Sequence, residues 1–384
     1  MTAGTMDELL TDEQKMLREM VAKFAKETVA PAAAERDRTG TFPADIIQQA
    51  AALGLLGIAY PQAYGGAGMD FVSYMLAIEE LSRWCASTGV IVSAHSSLAT
   101  DPIFRFGTDE QKKKYLPVLC SGSMLGCFCL TESGAGSDAG ATKTTAKQAG
   151  DRWILNGAKR FITNGKEADV AVVFASTDPG AKTRGISAFI VERKFKGYSI
   201  GKCEHKLGIR ASSTTEILLD ACEVPAENLL GEVNRGFKIA MTTLDGGRLG
   251  IAAQALGIAR ASLEDAVKYA KERRQFDQPI ANFQGVQWML ADMLTEYESA
   301  WLLTYRASVL KDRTLPYSAE AASAKLKASE TAMFCSAKSL QVHGGYGYIE
   351  DFPAERYYRD AKITEIYEGT SEIMRHIISA SLLK

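Results

Sequence analysis

The spacing of apolar residues changes twice along the chain and divides it into three parts. In the first part, apolar residues recur every three or four positions, as in LTDEQKMLREMVAKFAKETVAP. Thr11 and Gln14 form a capping-box pattern at its start, and Pro31 predicts the end of the helix. The segments FVSYMLAIEELSRWCAS and DEQKKKYLPVL keep the same period. Residues 1–121 are therefore predicted to form a helical domain.

Short β-branched and aromatic runs replace the helical period from residue 122 onward. They include MLGCFCLTE, RWILNGAKRFITNG, ADVAVVFAST, GISAFIVER and STTEILLDACEVP. No long helical pattern separates them, which excludes a βαβ sheet and favours a small antiparallel barrel or sandwich. Asn156 and Gly157 are the residues expected at a tight hairpin turn. Residues 122–231 are predicted to form this antiparallel β domain.

The helical period returns after LLGEVNRGF and continues through residues 232–384. One long segment carries a wide apolar stripe that consists of Val286, Met289, Leu290, Met293, Tyr297 and Trp301. Long helices of this kind pack as bundles. The predicted fold class is α+β, with a helical domain, a β-barrel domain and a helical bundle in that order.

Composition and charge narrow the classes of function. The 384 residues include 44 basic and 46 acidic side chains, giving a formal charge of -2. This balance argues against a nucleic-acid partner. No apolar segment approaches the roughly 20 residues that span a bilayer, so no membrane association is expected. The acidic start MTAGTMDELLTDEQK predicts a bacterial cytoplasmic protein, or one in the mitochondrial matrix only if a transit peptide has been removed.

The cysteines and histidines do not form a pattern typical of a metal site. Seven cysteines are scattered without a CxxC pair, which argues against a disulfide framework and against zinc. Cys127 and Cys129 share one face of a predicted strand, and core packing explains them best. His343 lies beside a glycine turn and is interpreted as polar packing. No metal is predicted.

One carboxylate occupies an unusual position in the segment ITEIYEGTSEIMRHII. Gly369 is predicted to end a helix, which places Glu368 at a helix C-terminus, where the negative end of the dipole raises the pKa of a carboxyl group. Thr370 is predicted to cap the next helix, with Glu372 in its first turn. Glu368 is therefore a candidate general base, and an exposed loop glutamate is the alternative.

Two glycine-rich segments are candidate ligand sites. CLTESGAGSDAGA follows a strand but leads into the strand-like TKTTAKQ, so the dinucleotide fingerprint fails on its context. The hydroxyls of Thr131 and Ser137 remain candidates for polar contacts, with an ordinary β-turn as the alternative. In TLDGGRLGIAAQALGIA, two adjacent glycines inside a helix each cost about 1 kcal/mol relative to Ala. Either a ligand crosses this helix, with Asp245 and Arg248 at its rim, or another helix packs closely against it.

Two further segments contain residues suited to a large planar cofactor. In KRFITNG, Phe161 and Thr163 share one strand face with Ile162 opposite, which suits a heteroaromatic ring, although core packing of Phe161 is the simpler interpretation. The segments ERRQFDQPIANFQ and QVHGGYGYIEDFPAERYYRD combine an arginine, Arg273, with glycine backbone and glutamine side chains. Such groups suit a pyrophosphate.

Together these motifs resemble the acyl-CoA dehydrogenase family, and within it the bacterial short-chain, butyryl-CoA type. The resemblance covers essentially the whole chain through LTESGAGSD, FITNG, LDGGRLGIAAQALG, RRQF, QVHGGYGY and RDAKITEIYEGTSEI, which occur in the family's order and spacing. It implies a helical N-terminal domain, a middle β-barrel and a C-terminal four-helix bundle. It also implies FAD as the cofactor and a homotetramer.

The resemblance also implies roles for particular residues. Glu368 matches the catalytic base, with its backbone N–H on the thioester carbonyl, while Thr163 matches the flavin N5 partner and Phe161 flanks the ring. Within the subunit, FAD contacts are implied for Phe128, Leu130, Thr131, Gly136, Ser137, Ile162, Thr370 and Glu372. The FAD of a neighbouring subunit is implied to contact Arg273, Phe276, Gln284, Gln341, Val342, Gly344 and Gly345. Acyl-CoA contacts are implied for Ser137, Leu244, Asp245, Arg248, Tyr367, Glu368 and Gly369.

The reaction of the family implies a role for the Glu368 carboxylate. Glu368 is implied to remove the pro-R α-proton of an acyl-CoA while the β-hydrogen leaves as hydride to flavin N5, giving a trans-2-enoyl-CoA. Electrons then pass to an electron-transferring flavoprotein. Phe161 stands where many relatives carry tryptophan. Gly247 occupies the position where isovaleryl-type and long-chain-type relatives carry their base, which favours Glu368 here.

Several alternatives remain open at the level of sequence. A branched short-chain or alicyclic carboxyl-CoA is an alternative substrate, and glutaryl-CoA is disfavoured because STGVIVSAHSSL contains no arginine. An acyl-CoA oxidase of similar fold would pass electrons to oxygen, although such chains are usually longer. A non-enzymatic helical scaffold is the alternative from another class, and it predicts no bound chromophore.

Overall fold

A computed structural model of the protein describes residues 6–383. Its α-helices are α1 (Asp12–Phe24), α2 (Ala30–Thr39), α3 (Ala44–Ala52), α4 (Phe71–Trp84), α5 (Ala86–Ser93), α6 (Asp101–Phe106), α7 (Asp109–Cys120), α8 (Gly236–Glu272), α9 (Gln284–Asp312), α10 (Ser318–His343), α11 (Ala354–Thr364) and α12 (Ser371–Leu382). Its strands are β1 (Gly126–Cys129), β2 (Thr145–Ala149), β3 (Arg152–Thr163), β4 (Val170–Ser176), β5 (Ile186–Glu192), β6 (Tyr198–Cys203), β7 (Thr214–Pro225), β8 (Leu229–Leu230), β9 (Arg274–Gln275) and β10 (Gln278–Pro279). The order of helical, β and helical regions confirms the predicted arrangement.

The first helix begins as its sequence predicts but ends differently. The Thr11 hydroxyl accepts from the Gln14 N–H at 3.2 Å, and the Gln14 side chain accepts from the Thr11 N–H at 2.9 Å, which completes the capping box. The prediction that Pro31 ends this helix is wrong. A π-helical segment, Ala25–Val29, joins α1 to α2, and Pro31 lies in the first turn of α2. The preceding π-helical turn lets the backbone continue past the proline, whose ring and missing N–H would disturb a regular α-helix at this point.

The middle region is a mixed sheet rather than the predicted antiparallel barrel. The strand order is β6-β7-β3-β2-β4-β5-β8, and β1 joins on β4. Most neighbouring pairs are antiparallel, but β1 and β2 each run parallel to β4. The long segment between β1 and β2 carries the chain across without a hairpin, so these strands need not alternate in direction. The path runs from β6 to β8 and does not close.

The predicted hairpin at Asn156 and Gly157 is also wrong. Both residues lie inside β3, where the register against β7 shifts between Leu155 and Gly157. A Cβ on Gly157 would lie 2.4 Å from the Thr144 hydroxyl, so the glycine permits a close approach at a bulge. The turn that joins β2 to β3 instead contains Gly150, which has a φ of 64°.

The two helical regions share one hydrophobic core. Met75 on α4, Leu256 on α8 and Ala328 on α10 belong to the same buried cluster. In the predicted apolar stripe of α9, Met293, Tyr297 and Trp301 are buried, and the other members are half-buried. Two further clusters lie against the sheet. The helices of both ends of the chain therefore form one body against which the sheet packs.

The structure describes the residues on which the predictions about membranes, thiols and metals depend. No helix within residues 6–383 is both long and apolar enough to cross a bilayer. Cys127 and Cys129 are buried with their sulfurs 3.7 Å apart, which confirms core packing. The same range contains no cluster of three or more side chains suited to a metal ion. His343 is buried, stacks on Tyr269 at 4.3 Å and bonds the Ser339 carbonyl, which confirms a packing role.

Candidate active site

The turn between α11 and α12 presents Glu368. The helix ends at Thr364 rather than at Gly369, so the predicted helix stop at this glycine is wrong. Glu368 and Gly369 both have positive φ angles, 53° and 101°. The second of these suits glycine, whereas the first is uncommon for a side chain with a Cβ. Thr370 caps α12 by accepting from the Ile373 N–H at 3.3 Å, as predicted.

The carboxylate of Glu368 is directed against the glycine pair of α8. A Cβ on Gly247 would lie 2.2 Å from Glu368 Oε2 and 2.6 Å from Leu98 Cδ2. Glu368 as a whole is only half-buried, but its Oε2 atom is sealed from solvent and has no hydrogen-bond partner in the described part of the chain. The glycine therefore provides the space that this carboxylate occupies. Of the two interpretations of the glycine pair, close packing is present at Gly247, but the group that packs there is the Glu368 side chain rather than another helix.

Burial raises the pKa of Glu368 to about 8, and the positive charges of Lys325 and Arg248 oppose the rise. The predicted direction is therefore confirmed, but its predicted cause is not the main one. Desolvation of the carboxylate is the largest contribution to the pKa of Glu368. The predicted cause was the helix dipole, but the helix ends at Thr364, four residues before Glu368. A carboxyl group with a pKa near neutrality can serve as a general base or acid.

Polar side chains surround Glu368 from α8 and α10. Arg248 is 4% exposed and donates to Asp245 at 2.5 Å, and Ser318 donates to the same carboxylate oxygen at 2.9 Å. Arg248 Nε has no partner among residues 6–383. The predicted rim residues therefore pair with each other, and Arg248 is close enough for its charge to act on Glu368. Leu244 is half-buried one position before Asp245.

Further along α8 the same face meets the hydroxyls of Ser93 and Tyr74, which sequence reasoning missed, as it missed Gln254 on α8 itself; Tyr367 was among the predicted acyl-CoA contacts. A Cβ on Gly250 would lie 2.3 Å from Ser93 Oγ and 2.6 Å from the Tyr74 hydroxyl. One turn later, the Tyr367 hydroxyl donates to the side-chain oxygen of Gln254. The signal available in the sequence was the third glycine of GGRLG, at helical spacing from the pair.

The segment that contains Leu98 also contacts the sheet. His95 accepts from the Gly126 N–H at 3.0 Å, and a Cβ on Gly126 would lie 2.6 Å from Ala99 Cβ. Gly126 begins β1, which leads to the next group of predicted residues. One helical segment therefore connects the Glu368 pocket to the start of β1.

The end of β1 and the end of β3 lie side by side. The Arg160 N–H donates to the Thr131 carbonyl at 2.8 Å. Phe161 follows with a φ of 58° and 63% of its surface exposed, so core packing of this ring is excluded. Ile162 is buried and Thr163 half-buried, as the predicted alternation requires. An exposed ring therefore lies on β3 near the loop that carries Thr131.

The other predicted residues of this region differ in exposure. Leu130 is buried, while Phe128 is half-buried and packs on Phe174 with ring centroids 4.9 Å apart. Gly136 and Ser137 are exposed, and a Cβ on Gly136 would meet nothing within 4 Å. The loop therefore has open space above it.

A second predicted group lies around a separate cavity of about 490 Å³. Arg273, Val342, Gly344 and Gly345 line it together with Tyr346, whose ring lies 5.4 Å beneath the Arg273 guanidinium carbon. A Cβ on either glycine would have open space around it. Arginine, glycine backbone and an aromatic ring suit a pyrophosphate or a nucleoside.

Three members of this second group lie on the exposed surface beside the cavity. Phe276 has a φ of 50° and is 87% exposed, although its ring contacts that of Phe283 edge to face at 6.0 Å. Gln284 and Gln341 are exposed as well. Exposed aromatic and amide side chains of this kind are suited to contacts with another molecule.

The second group is distant from Glu368 within one chain. Lys325, beside Glu368, and Gln341, beside the cavity, lie on the same helix, α10. At 1.5 Å per residue they are roughly 24 Å apart. The structure therefore does not bring the Gly344 group and Glu368 together within one subunit.

Comparison with known proteins identifies the family. Models of the N-terminal, middle and C-terminal domains of acyl-CoA dehydrogenase match residues 11–123, 127–222 and 234–383. The chain therefore belongs to the acyl-CoA dehydrogenase family, an oxidoreductase family, and has its three-domain fold.

Particular relatives are similar over their full length. A short-chain specific acyl-CoA dehydrogenase of Clostridium acetobutylicum is 52% identical, with 99% of this chain and 100% of that protein covered. The butyryl-CoA dehydrogenase structure from Megasphaera elsdenii matches with a TM-score of 0.97 at 45% identity, covering 98% and 99% of the two chains. A chain in a structure of the electron transferring flavoprotein of Acidaminococcus fermentans also matches with a TM-score of 0.97, at 52% identity and 99% and 100% coverage.

Proposed function

We propose that this protein catalyses the FAD-dependent α,β-dehydrogenation of a short-chain acyl-CoA, with Glu368 as the base. The observation that carries the proposal is the sealed Glu368 carboxylate against Gly247, with its pKa raised to about 8. The similarity to short-chain dehydrogenases supports the substrate class. The electron acceptor we propose is an electron-transferring flavoprotein, which the similarity to a chain in such a structure supports.

The residues present fit FAD. The exposed Phe161 ring beside Thr163 and the open space above Gly136 suit an isoalloxazine ring. The glycine-lined cavity at Gly344 suits a nucleotide. When bound, FAD supplies the acceptor for the hydrogen that leaves the β-carbon of the substrate with its electron pair. We assign the cofactor contacts within the subunit to the residues Phe128, Leu130, Thr131, Gly136, Ser137, Phe161, Ile162, Thr163, Thr370 and Glu372.

Glu368 takes the α-proton of the thioester in its ionised form. Its raised pKa gives it the proton affinity for this task, and exclusion of water by the bound acyl-CoA strengthens its attraction for the proton further. The backbone N–H of Glu368 donates to the thioester carbonyl and stabilises the negative charge that develops there. We assign the remaining acyl-CoA contacts to Ser137, Leu244, Asp245, Arg248, Tyr367 and Gly369.

The groups beyond Gly247 favour a short acyl chain. Gly250, where Ser93 and Tyr74 approach, is about 4.5 Å along α8, and Gln254 is about 10 Å away. Tyr74 donates to Ser93 at 3.0 Å, so these side chains are held in place. They are uncharged, which disfavours a distal carboxylate such as that of glutaryl-CoA. Branched short-chain and alicyclic substrates remain the alternatives.

The assembly we propose is a homotetramer in the bacterial cytoplasm. The rise of roughly 24 Å along α10 between Lys325, beside Glu368, and Gln341, beside the Gly344 cavity, supports a cofactor shared by two subunits. In this arrangement the neighbour's FAD contacts Arg273, Phe276, Gln284, Gln341, Val342, Gly344 and Gly345. Domain limits at residues 1–121, 122–231 and 232–384, and a four-helix C-terminal bundle, stay predictions.

Anaerobic titration of the purified protein with a panel of acyl-CoAs tests this function. Butyryl-CoA is expected to bleach the visible flavin band more completely than longer or branched thioesters. A response to only a branched or cyclic thioester would overturn the substrate class, and absence of flavin after FAD is supplied would overturn the whole proposal. Rapid oxygen consumption during turnover would identify an oxidase instead.

A further inference from the structure

Lys325 is a buried cation on the apolar face of α10. It is 0% exposed and lies among Ala321, Ala324 and Ala328, which are also fully buried. Burying an ammonium group is costly unless a partner compensates for its lost hydration. A structural role alone would be served by an apolar residue of similar size, since replacing buried charges in this way is often neutral or stabilising.

The ammonium group of Lys325 contacts the turn that carries Glu368. Its Nζ donates to the Gly369 carbonyl at 2.6 Å. Glu368 and Gly369 both have positive φ angles, a conformation that persists only where the surroundings hold it. This hydrogen bond fixes the peptide plane between Gly369 and Thr370, one residue after Glu368, and so holds the turn that carries the Glu368 side chain.

The positive charge of Lys325 also acts on the Glu368 carboxylate through space. It lowers the pKa of Glu368 against the larger effect of burial, and Glu368 in turn raises that of Lys325, which burial lowers to about 8. The other charged groups whose fields act on this pair are Arg248, Glu365 and Glu372. The Glu368 charge in turn raises the pKa of Tyr74 and of Tyr367.

We infer that Lys325 is a positioning residue for proton abstraction: its ammonium group holds the Gly369 carbonyl and thereby the turn that orients the Glu368 carboxylate. This inference rests on the proposed role of Glu368. Lys325 itself touches neither the substrate nor the reacting atoms. Because it is a cation, it makes the base ionise at a lower pH than burial alone would allow.

Three substitutions separate the contributions of Lys325. Lys325→Met removes the hydrogen bond and the charge, Lys325→Gln retains a donor without the charge, and Lys325→Arg retains the charge. The matched control is Lys327→Met, two residues away on α10, where a partly exposed lysine pairs with Glu296. FAD content and the thermal unfolding midpoint are measured for all variants to establish that they fold.

Two readouts test the inference. The first is the pH dependence of anaerobic flavin reduction by butyryl-CoA. The second is the pH titration of the buried carboxyl band in infrared difference spectra, each variant against the same variant carrying Glu368→Gln. This second readout reports on Glu368 without substrate turnover, so it remains informative if the proposed dehydrogenation fails.

We expect Lys325→Met to shift both pH midpoints upward by about one unit, because loss of a nearby cation disfavours the carboxylate. The reduction rate at pH 7 then falls about tenfold or more, while Lys327→Met matches the native protein. Lys325→Gln is expected to show the shift with a better limiting rate, and Lys325→Arg to show little shift. Midpoints and limiting rates of Lys325→Met equal to those of Lys327→Met would overturn the inference. If Lys325→Met does not fold, an unshifted midpoint in Lys325→Gln overturns it.

Discussion

Glycine at position 247 is required because a carboxylate fills the space where its side chain would be. The Glu368 oxygen lies 2.2 Å from the ideal Cβ position, and the turn that carries it has two successive positive φ angles. At the scale of single residues, Gly247 therefore provides the space for the carboxylate that we propose as the base.

Gly247→Ala is expected to damage activity more than stability. Its Cβ would collide with the flexible ends of Glu368 and Leu98, which can move aside, so the carboxylate is displaced. Flavin reduction should slow at least tenfold, or about 1.4 kcal/mol in activation free energy. In Gly257→Ala, by contrast, the Cβ would lie 2.5 Å from the backbone oxygen of Glu79, so the thermal unfolding midpoint should fall. A native reduction rate in folded Gly247→Ala would contradict this account.

A buried ion pair joins β3 to the loop after β1 at the scale of elements. Lys159 is 0% exposed and donates to Glu132 at 2.7 Å and to the Leu130 carbonyl at 3.0 Å. Glu132 also accepts from the N–H groups of Lys143 and Thr144, at 2.7 and 3.0 Å. The loop that carries Thr131 and Ser137 is therefore fixed at both ends.

Breaking this pair from one side should be costly. Lys159→Met leaves the Glu132 carboxylate buried without its cation, and such changes cost about 3–5 kcal/mol of stability. The double variant Lys159→Met/Glu132→Gln removes the uncompensated charge but keeps an acceptor for Lys143, so it should recover much of the loss. Thermal unfolding and FAD retention measure both effects. Equal destabilisation in the single and double variants would show that the buried charge is not the cause.

Local signals explain which elements the sequence predicts well. The capping box at Thr11 satisfies its own helix end, so it is readable from four residues. Asn156 and Gly157 were misread because the same pair suits a hairpin turn and a bulge, and only the distant Thr144 distinguishes them. Likewise, the parallel pairing of β1 with β4 depends on residues about 44 positions apart, as in Gly126 with Val170.

Within the site as well, local patterns reveal some residues, whereas roles that depend on contacts distant in sequence are missed. Glu368 could be predicted because an acid beside a glycine break is locally unusual. Lys325 was missed although the pattern contained a signal, a lysine at helical spacing from the buried Ala321 and Ala328. Its partner, the Gly369 carbonyl, is 44 residues away, which no local pattern reveals.

At the scale of the whole molecule, one chain holds two separated halves of the proposed cofactor site. The Arg273 and Gly344 group lies roughly 24 Å along α10 from the Glu368 group. A shared site requires that each subunit complete its neighbour's. This arrangement predicts complementation between subunits that carry different defects.

Mixed oligomers of Glu368→Gln and Arg273→Ala chains should regain activity. A site in the Arg273→Ala subunit keeps its own Glu368 and receives Arg273 from the Glu368→Gln neighbour, so it is complete. Each parent alone should be inactive or lose FAD, whereas co-expressed chains, separated by two affinity tags, should show dehydrogenation. Activity no greater than the sum of the parents would contradict a cofactor site shared between subunits.

The most direct measurement is stopped-flow reduction of the flavin by butyryl-CoA in Glu368→Gln, without oxygen. We predict retained FAD and acyl-CoA binding, with reduction slower by about three orders of magnitude or more, because the amide cannot accept the α-proton. In the native protein the rate should rise with pH through about 8, as Glu368 ionises. The control Lys327→Met removes a partly exposed lysine of α10 that pairs with Glu296, and it should reduce at the native rate. Native reduction in Glu368→Gln would contradict the central claim that Glu368 is the base.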